Sequence, residues 1–251
     1  MLGNMAKFRS NPDEAIQHYT EGLRLLRATE DLKGLLVALN NLATLYIERG
    51  DLATALPLLE ESLALKRAVG DRRGVAVGLM NYGEVLKTQG HYQRAQDITQ
   101  EGYAIFEDLG DMQGLAMASN NLGEIAAAQG DDVQAATAFA ASLSYYRRME
   151  DRPGTAMALR HLGDAYARLG DAQAEAILRE GADLSSALDD PVGAIECILA
   201  LAAFDLRVHA PQAALRELAR IAASFEGDQA TALPVDLRGR YAGLLAQARE
   251  C

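Results

Sequence analysis

Asparagine recurs at one place in successive segments of this 251-residue chain. The residues at that place are Asn40 and Asn41, Asn81, Asn120 and Asn121, and then Arg160 and His161. An asparagine amide both donates and accepts hydrogen bonds, so a row of amides can hold the backbone of an extended peptide. Because asparagine is a mediocre helix former, its recurrence needs a reason. We expect a binding groove, and the alternative is that the amides bridge neighbouring helices.

Acidic residues recur a few positions further along, as Glu84, Glu124 and Asp164. If the segments are helical, residues three and four apart share a face, so these carboxylates lie beside the asparagines. They favour a ligand with lysine, arginine or a free amine, while Arg160 and Arg168 supply local positive charge. The alternative is that the acids only form a solvated helix face.

Residue patterns that carry catalysis are missing from the sequence. It contains no Gly-x-x-x-x-Gly-Lys phosphate loop, no Gly-x-Ser-x-Gly elbow and no His-Glu-x-x-His metal pair. Of the four histidines only His161 falls on the asparagine face, and adjacent acids such as Glu60 and Glu61 have no proton donor opposite them. We therefore predict a protein that is not an enzyme and has no cofactor and no metal site.

Composition and charge favour a cytoplasmic protein without nucleic-acid or membrane partners. The formal net charge is −11 and no basic stripe with interleaved aromatics offsets it, which disfavours binding to a phosphate backbone. No apolar run has the length of a membrane span, and we find no basic segment followed by a signal core. Cys197 and Cys251 form neither a disulfide framework nor a metal spacing, which is typical of a reducing compartment.

A repeat of almost forty residues produces these recurrences. The repeats begin, each with a glycine three residues later, at Asp31, Asp71, Asp111 and Asp151. Self-similarity at such a period indicates a repeat array. Within residues 31–70 apolar positions recur every three or four residues, Gly50 interrupts them, and Asp51 can cap a second helix. Each repeat is thus predicted to be a helical hairpin.

Small residues recur where the two helices of a hairpin must approach each other. They are Ala43, Gly83, Gly123 and Gly163 in the first helix, and Ala55, Ala95, Ala135 and Ala174 in the second. A glycine in the middle of a helix costs roughly 1 kcal/mol relative to alanine, so its recurrence implies a close contact. These residues are predicted to build the fold rather than to perform chemistry.

The stretch Leu42-Ala43-x-x-Tyr46-x-x-x-Gly50, followed by Ala55, Leu59 and Ser62, resembles the tetratricopeptide repeat. The same pattern returns between Leu122 and Ser142. Its length is similar to the forty-residue arrays of kinesin light chain and to the C-terminal sensor arrays of bacterial multidomain regulators.

The resemblance implies an all-α fold, a right-handed superhelical solenoid of antiparallel helical hairpins whose first helices line a concave groove. In the resembling families an asparagine before the leucine-glycine pair anchors a peptide main chain. The resemblance therefore implies that role for Asn41, Asn81 and Asn121.

We expect a single solenoid over residues 1–251. Its predicted parts are a partial first repeat at 1–30, repeats at 31–70, 71–110, 111–150 and 151–189, a degenerate repeat at 190–226 and a capping helix at 234–250. The register places the start of the chain inside a first helix, as in a fragment of a longer protein. That helix carries Leu2, Met5 and Phe8, an apolar end that a neighbour can cover.

The sequence is compatible with three functions. The first is a scaffold that binds a protein or peptide, with a basic ligand favoured by the acids. The second is a regulatory arm that senses a ligand or partner within a larger bacterial transcriptional regulator or signal-transduction ATPase. The third is self-assembly, with a homodimer formed through the N-terminal hairpin.

Overall fold

The computed structural model describes residues 12–29, 31–222 and 234–250, which form twelve α-helices and no strand. In chain order they are α1 (Pro12–Leu26), α2 (Leu32–Glu48), α3 (Leu52–Ala68), α4 (Arg72–Thr88), α5 (Tyr92–Leu109), α6 (Met112–Gln129), α7 (Asp132–Arg148), α8 (Arg152–Leu169), α9 (Gln173–Ala187), α10 (Pro191–Arg207), α11 (Pro211–Ile221) and α12 (Val235–Glu250). The predicted all-α fold of helical hairpins is confirmed. The predicted first helix with Leu2, Met5 and Phe8 lies outside the described residues.

Aspartates at the helix starts explain the regular division into helices. Asp31, Asp71 and Asp151 each accept a hydrogen bond from the backbone N–H of the glycine three residues later, at 2.8 to 3.0 Å. Such a cap satisfies one of the free N–H groups that open a helix. Asp51 caps α3 in the same way, as predicted. The preceding Gly50 has a φ of +76°, a left-handed conformation that glycine adopts without strain.

The chain divides into two compact units, one ending at Gly114 and the other starting at Leu115. In the first unit, helices α1 to α5 pack in chain order, and a core there includes Leu23, Leu39 and Leu42. In the second unit, helices α7 to α12 pack in the same consecutive manner and enclose apolar cores that include Leu159 and Leu199. Each unit therefore has its own apolar interior.

Glycines of the first helices lie in close helix contacts, as their recurrence predicted. A Cβ atom on Gly83 would come within 2.5 Å of Thr99 Oγ1, and one on Gly123 would come within 2.5 Å of Phe139 Cε1. The mid-helix glycine of α8 meets a leucine of α9 in the same way. Because interiors are close-packed, no side chain fits at these positions without moving its neighbours. Glycine thus permits the two helices of a hairpin to approach.

Bulky side chains near the ends of second helices cover the glycine that opens the next helix. Phe106 and Tyr146 lie against the glycine eight residues later, where an added Cβ would meet their rings at 2.1 and 2.3 Å. The equivalent residue of α3 is Lys66, of which only 7% is exposed. Burial lowers the pKa of the Lys66 ammonium group, and the nearby Asp71 charge offsets this only in part. At this position of the repeat α3 thus carries a lysine, where two other second helices carry an aromatic residue.

Replacing Lys66 by phenylalanine is expected to raise the free energy of unfolding by about 1 to 2 kcal/mol, because an apolar ring replaces a buried cation. A lowered lysine pKa in the folded state means that wild-type stability rises with pH until the ordinary lysine pKa is reached. The stability that Lys66→Phe gains over the wild type should therefore shrink as the pH rises. Urea unfolding of both proteins at about pH 7 and about pH 10 measures this difference in the free energy of unfolding. Lys33→Phe, at an exposed position, should give no gain; an equal gain from both variants contradicts the prediction.

Candidate functional site

The first-helix face of the second unit carries an apolar residue and a polar residue at one-turn spacing on two helices. Met117 and Asn121 have this relation on α6, and Met157 and His161 have it on α8. Asp164 continues the row along α8. Met117 is 39% exposed although methionine is usually buried. The face therefore offers both the apolar and the polar contacts that ligand sites combine.

In the first unit the predicted asparagines differ in what they contact. Asn40 Oδ1 accepts a hydrogen bond from Ser62 Oγ of α3 at 3.0 Å. Asn41 Nδ2 donates to the Tyr19 hydroxyl of α1 at 3.1 Å. Asn81 is exposed and forms no side-chain hydrogen bond with any residue that the structure describes. Asn40 and Asn41 thus join helices of the unit, whereas the Asn81 amide is open to a ligand.

In the second unit Asn120 lies at the centre of a hydrogen-bonded chain. It is 5% exposed, its Nδ2 donates to Glu124 Oε1 at 2.7 Å, and its Oδ1 lies 2.8 Å from His161 Nδ1. Because an ionised carboxylate only accepts, the Asn120 amide must turn its nitrogen to Glu124 and its oxygen to His161. Asn121 is half-buried and, among the described residues, has no side-chain hydrogen bond. Asn120 therefore connects Glu124 and His161, whereas the amide of the adjacent Asn121 is not used in this way.

The Asn120 oxygen determines the tautomer of His161. An acceptor opposite Nδ1 requires a hydrogen on that nitrogen, so in the neutral ring Nε2 is left to accept from Arg160 Nη2 at 3.3 Å. The imidazole also packs against Phe139, with 5.0 Å between the ring centroids. His161 is thus held from several sides and helps to orient Arg160.

Acids of the predicted groove already have partners inside the chain. Glu84 pairs with Lys87 at 2.7 Å, and Asp164 pairs with Arg168. Burial acts to lower the pKa of the Arg168 guanidinium, but the hydrogen bonds and charges of Asp132 and Asp164 outweigh it, and the pKa is raised. Much of the negative charge that the sequence places on this face is therefore already compensated.

Two adjoining cavities open between α8 and α10 in the second unit. The smaller has a volume of ≈ 140 Å³ and is lined by Arg160, His161, Asp164, Glu196, Ala200 and Arg240. The larger has a volume of ≈ 300 Å³ and a mixed lining, with Pro153, Ala156, Met157, Leu188 and Val192 as its apolar residues and Ser185 and Asp190 among its polar ones. An ion pair between Arg160 and Glu196 lines both cavities. Three of the predicted site residues, all on α8, thus meet at one cavity.

Sequence reasoning missed Met157, Glu196 and Arg240. The repeat register places Met157 one turn before His161 and Glu196 at the corresponding position of α10, so the register could have found both. Arg240 lies on α12, outside the repeat pattern, and no spacing in the sequence pointed to it.

Comparison with known proteins agrees with this architecture. The sequence profile of the tetratricopeptide repeat matches residues 34–108 and 114–187, more than half of the chain. BtubC (BKLC) from P. vanneervenii is similar in structure, with a TM-score of 0.76, 19% identity, and coverage of 86% of this chain and 93% of that protein. No curated protein matches the sequence.

Two further solved structures share the fold. A Signal Transduction ATPase with Numerous Domains that has a tetratricopeptide repeat sensor, from Pyrococcus horikoshii, gives a TM-score of 0.72 at 17% identity; the match covers 90% of this chain and 33% of that protein. A Rap protein complexed with Competence and Sporulation Factor gives a TM-score of 0.66 at 16% identity; the match covers 98% of this chain and 74% of that protein. Identities this low show the fold alone.

The fold and the site define a helical-repeat protein with a polar face on its first helices. The chain belongs to the tetratricopeptide repeat family. Members of this family typically act as non-catalytic interaction scaffolds. Among the described residues no three histidine, cysteine, aspartate or glutamate side chains are grouped to hold a metal ion. None of the helices at 12–29, 31–222 and 234–250 combines the length and the apolar character of a membrane span.

Proposed function

We propose that this chain is a non-catalytic interaction scaffold that binds an extended peptide segment of a partner protein on its first-helix faces. The observation that carries the proposal is the division among the asparagines. Asn40 and Asn120 form hydrogen bonds inside their units, whereas Asn81 and Asn121 have none with the described residues. An open amide can donate to and accept from a peptide backbone. The exposed Met117, one turn from Asn121, adds an apolar contact.

The likeness to a Rap protein in complex with Competence and Sporulation Factor is compatible with this proposal, as is the likeness to a protein with a tetratricopeptide repeat sensor. The second likeness favours a regulatory arm of a larger bacterial regulator or signal-transduction ATPase as the second candidate. Self-assembly through the N-terminal hairpin stays a prediction, since Leu2, Met5 and Phe8 lie outside the described residues.

Alanine at Asn81 in the first unit and alanine at Asn121 in the second are each expected to weaken peptide binding to their own unit by about fivefold or more, because a backbone hydrogen bond is lost. Helicity and melting temperature should stay unchanged, since neither amide has a partner to lose within the described residues. Peptides selected by the wild-type protein from a phage-displayed random library provide the ligand. Fluorescence polarisation then gives the affinities, and circular dichroism gives the stability.

The variant for comparison replaces the two asparagines that form internal hydrogen bonds, as Asn40→Ala with Asn120→Ala. It breaks the bonds to Ser62, Glu124 and His161 and should lower the free energy of unfolding by about 1 to 3 kcal/mol. The reverse outcome, with binding kept but stability lost at Asn81 and Asn121, would falsify the assignment of the open amides to peptide binding.

A further inference from the structure

We propose that the two cavities between α8 and α10 form one composite subsite for neighbouring side chains of the bound peptide. The smaller cavity takes an acidic side chain, and the larger takes an apolar one. The proposal rests on the proposed function, because it assumes that the ligand is a peptide segment. It differs from the sequence-based expectation of a basic ligand.

Hydrogen-bond donors are in excess in the smaller cavity. A guanidinium has five N–H donors and no acceptor, and Arg160 and Arg240 both line this cavity. Arg160 directs Nη1 to Glu196 and Nη2 to His161. Within the part of the chain that the structure describes, Arg240 is exposed and makes neither an ion pair nor a hydrogen bond. The ligand group that matches spare guanidinium donors best is a carboxylate, which can accept two parallel bonds.

The charges around the smaller cavity also favour a carboxylate ligand. The two acids that line the smaller cavity are each paired, Glu196 with Arg160 and Asp164 with Arg168. Once these pairs are counted, Arg240 is the charged residue of the lining without a partner among the described residues. A ligand carboxylate at this place therefore gains an opposite charge, whereas a ligand amine would meet an uncompensated arginine.

The larger cavity combines apolar and polar walls. Ala156, Met157, Leu188 and Val192 supply apolar carbon, and methionine adapts its shape to varied apolar groups. Ser185 and Asp190 also line it, and the Asp190 carboxylate accepts a hydrogen bond from the Gly193 N–H at the start of α10. The Arg160 to Glu196 ion pair forms a boundary that both cavities share. One extended segment can therefore place an apolar residue on one side of this pair and an acidic residue on the other.

Immobilised nonapeptide pools, acetylated and amidated at their ends, test the proposal. One position is fixed as glutamate, lysine or alanine, and the other positions are random. Purified wild-type protein is expected to be retained about fivefold more by the glutamate pool than by the lysine pool, the ratio that a partly exposed ion pair supplies. Fixing a neighbour of the glutamate as leucine should raise retention further than fixing it as serine, and Met157→Glu should remove that gain.

Arg240→Glu should abolish the preference for glutamate, while Arg249→Glu, an exposed arginine on the same helix that does not line the cavity, should keep it. Melting curves of both variants should match the wild type. Stronger retention by the lysine pool, or equal retention of the glutamate pool by wild type and Arg240→Glu, overturns the proposal. The same pools are also prepared with a free C-terminus, and retention only by these overturns the proposal in favour of a terminal carboxylate. If no pool of either kind retains the wild-type protein, the proposed peptide-binding function itself fails.

Discussion

Replacement of Gly123 by leucine is expected to lower the free energy of unfolding by about 3 kcal/mol or more, because overpacking a close helix contact displaces backbone and side chains. The Cβ atom alone would lie 2.5 Å from Phe139 Cε1 and 2.6 Å from Cδ1. Phe139 is only 3% exposed, so its ring is enclosed by neighbouring residues. Leucine adds three more carbons to the same place, so α6 and α7 must separate.

Urea unfolding followed by circular dichroism measures this loss. Gly243→Leu is the matched control in the same unit, because no atom other than those of the chain neighbours and of the helix's own backbone lies within 4 Å of a Cβ built at Gly243, and the position is exposed on α12. It should raise stability by up to about 1 kcal/mol through helix propensity. A Gly123→Leu protein as stable as Gly243→Leu would show that the contact between α6 and α7 is not close.

The helix positions were predictable from the sequence because local rules determine them. An aspartate three residues before a glycine recurs in phase with the apolar pattern, and both signals arise within one turn of helix. The close contacts at Gly83 and Gly123 were predictable as contacts, since repeated glycine is costly inside a helix. The residues that they contact, Thr99 and Phe139, were not predictable, because the choice of partner depends on how the two helices are rotated about their axes.

Adjacent asparagines show why the candidate site was harder to predict than the fold. One residue along an α-helix rotates the side chain by roughly 100°, so Asn120 and Asn121 point to different surroundings. Asn120 turns inward to Glu124 and His161, while Asn121 stays half-buried without an internal bond among the described residues. The repeat register gives both residues the same recurrence. It contains no information about which of the two faces a ligand.

Charge on the face was only partly predictable. Lys87 lies three residues after Glu84, and Arg168 lies four residues after Asp164. Helical spacing alone therefore predicts both ion pairs. Arg240, in contrast, comes from α12 and reaches the cavity through tertiary packing. The net charge of the sequence therefore does not give the charge around this cavity, where Arg160 and Arg240 balance Asp164 and Glu196.

Phe139→Ala is expected to lower the free energy of unfolding by about 3 to 5 kcal/mol, the usual cost of emptying a buried aromatic site. Its ring fills the space in front of Gly123 and packs against the His161 imidazole at 5.0 Å. The substitution therefore creates a cavity and also removes one of the supports that hold His161 near Asn120. Phe139→Leu keeps most of the volume and should cost less.

Combining the two substitutions tests whether Gly123 and Phe139 are one contact. In the double variant Gly123→Leu, Phe139→Ala, the leucine enters the space that the ring vacated. The loss of stability should then be smaller than the sum of the single losses by at least about 1 kcal/mol. Strict additivity in a urea-unfolding double-mutant cycle would mean that the two residues do not share a space. Because Phe139 also supports His161, the double variant should recover the proposed peptide binding less completely than it recovers stability, as leucine at position 123 cannot replace the aromatic contact.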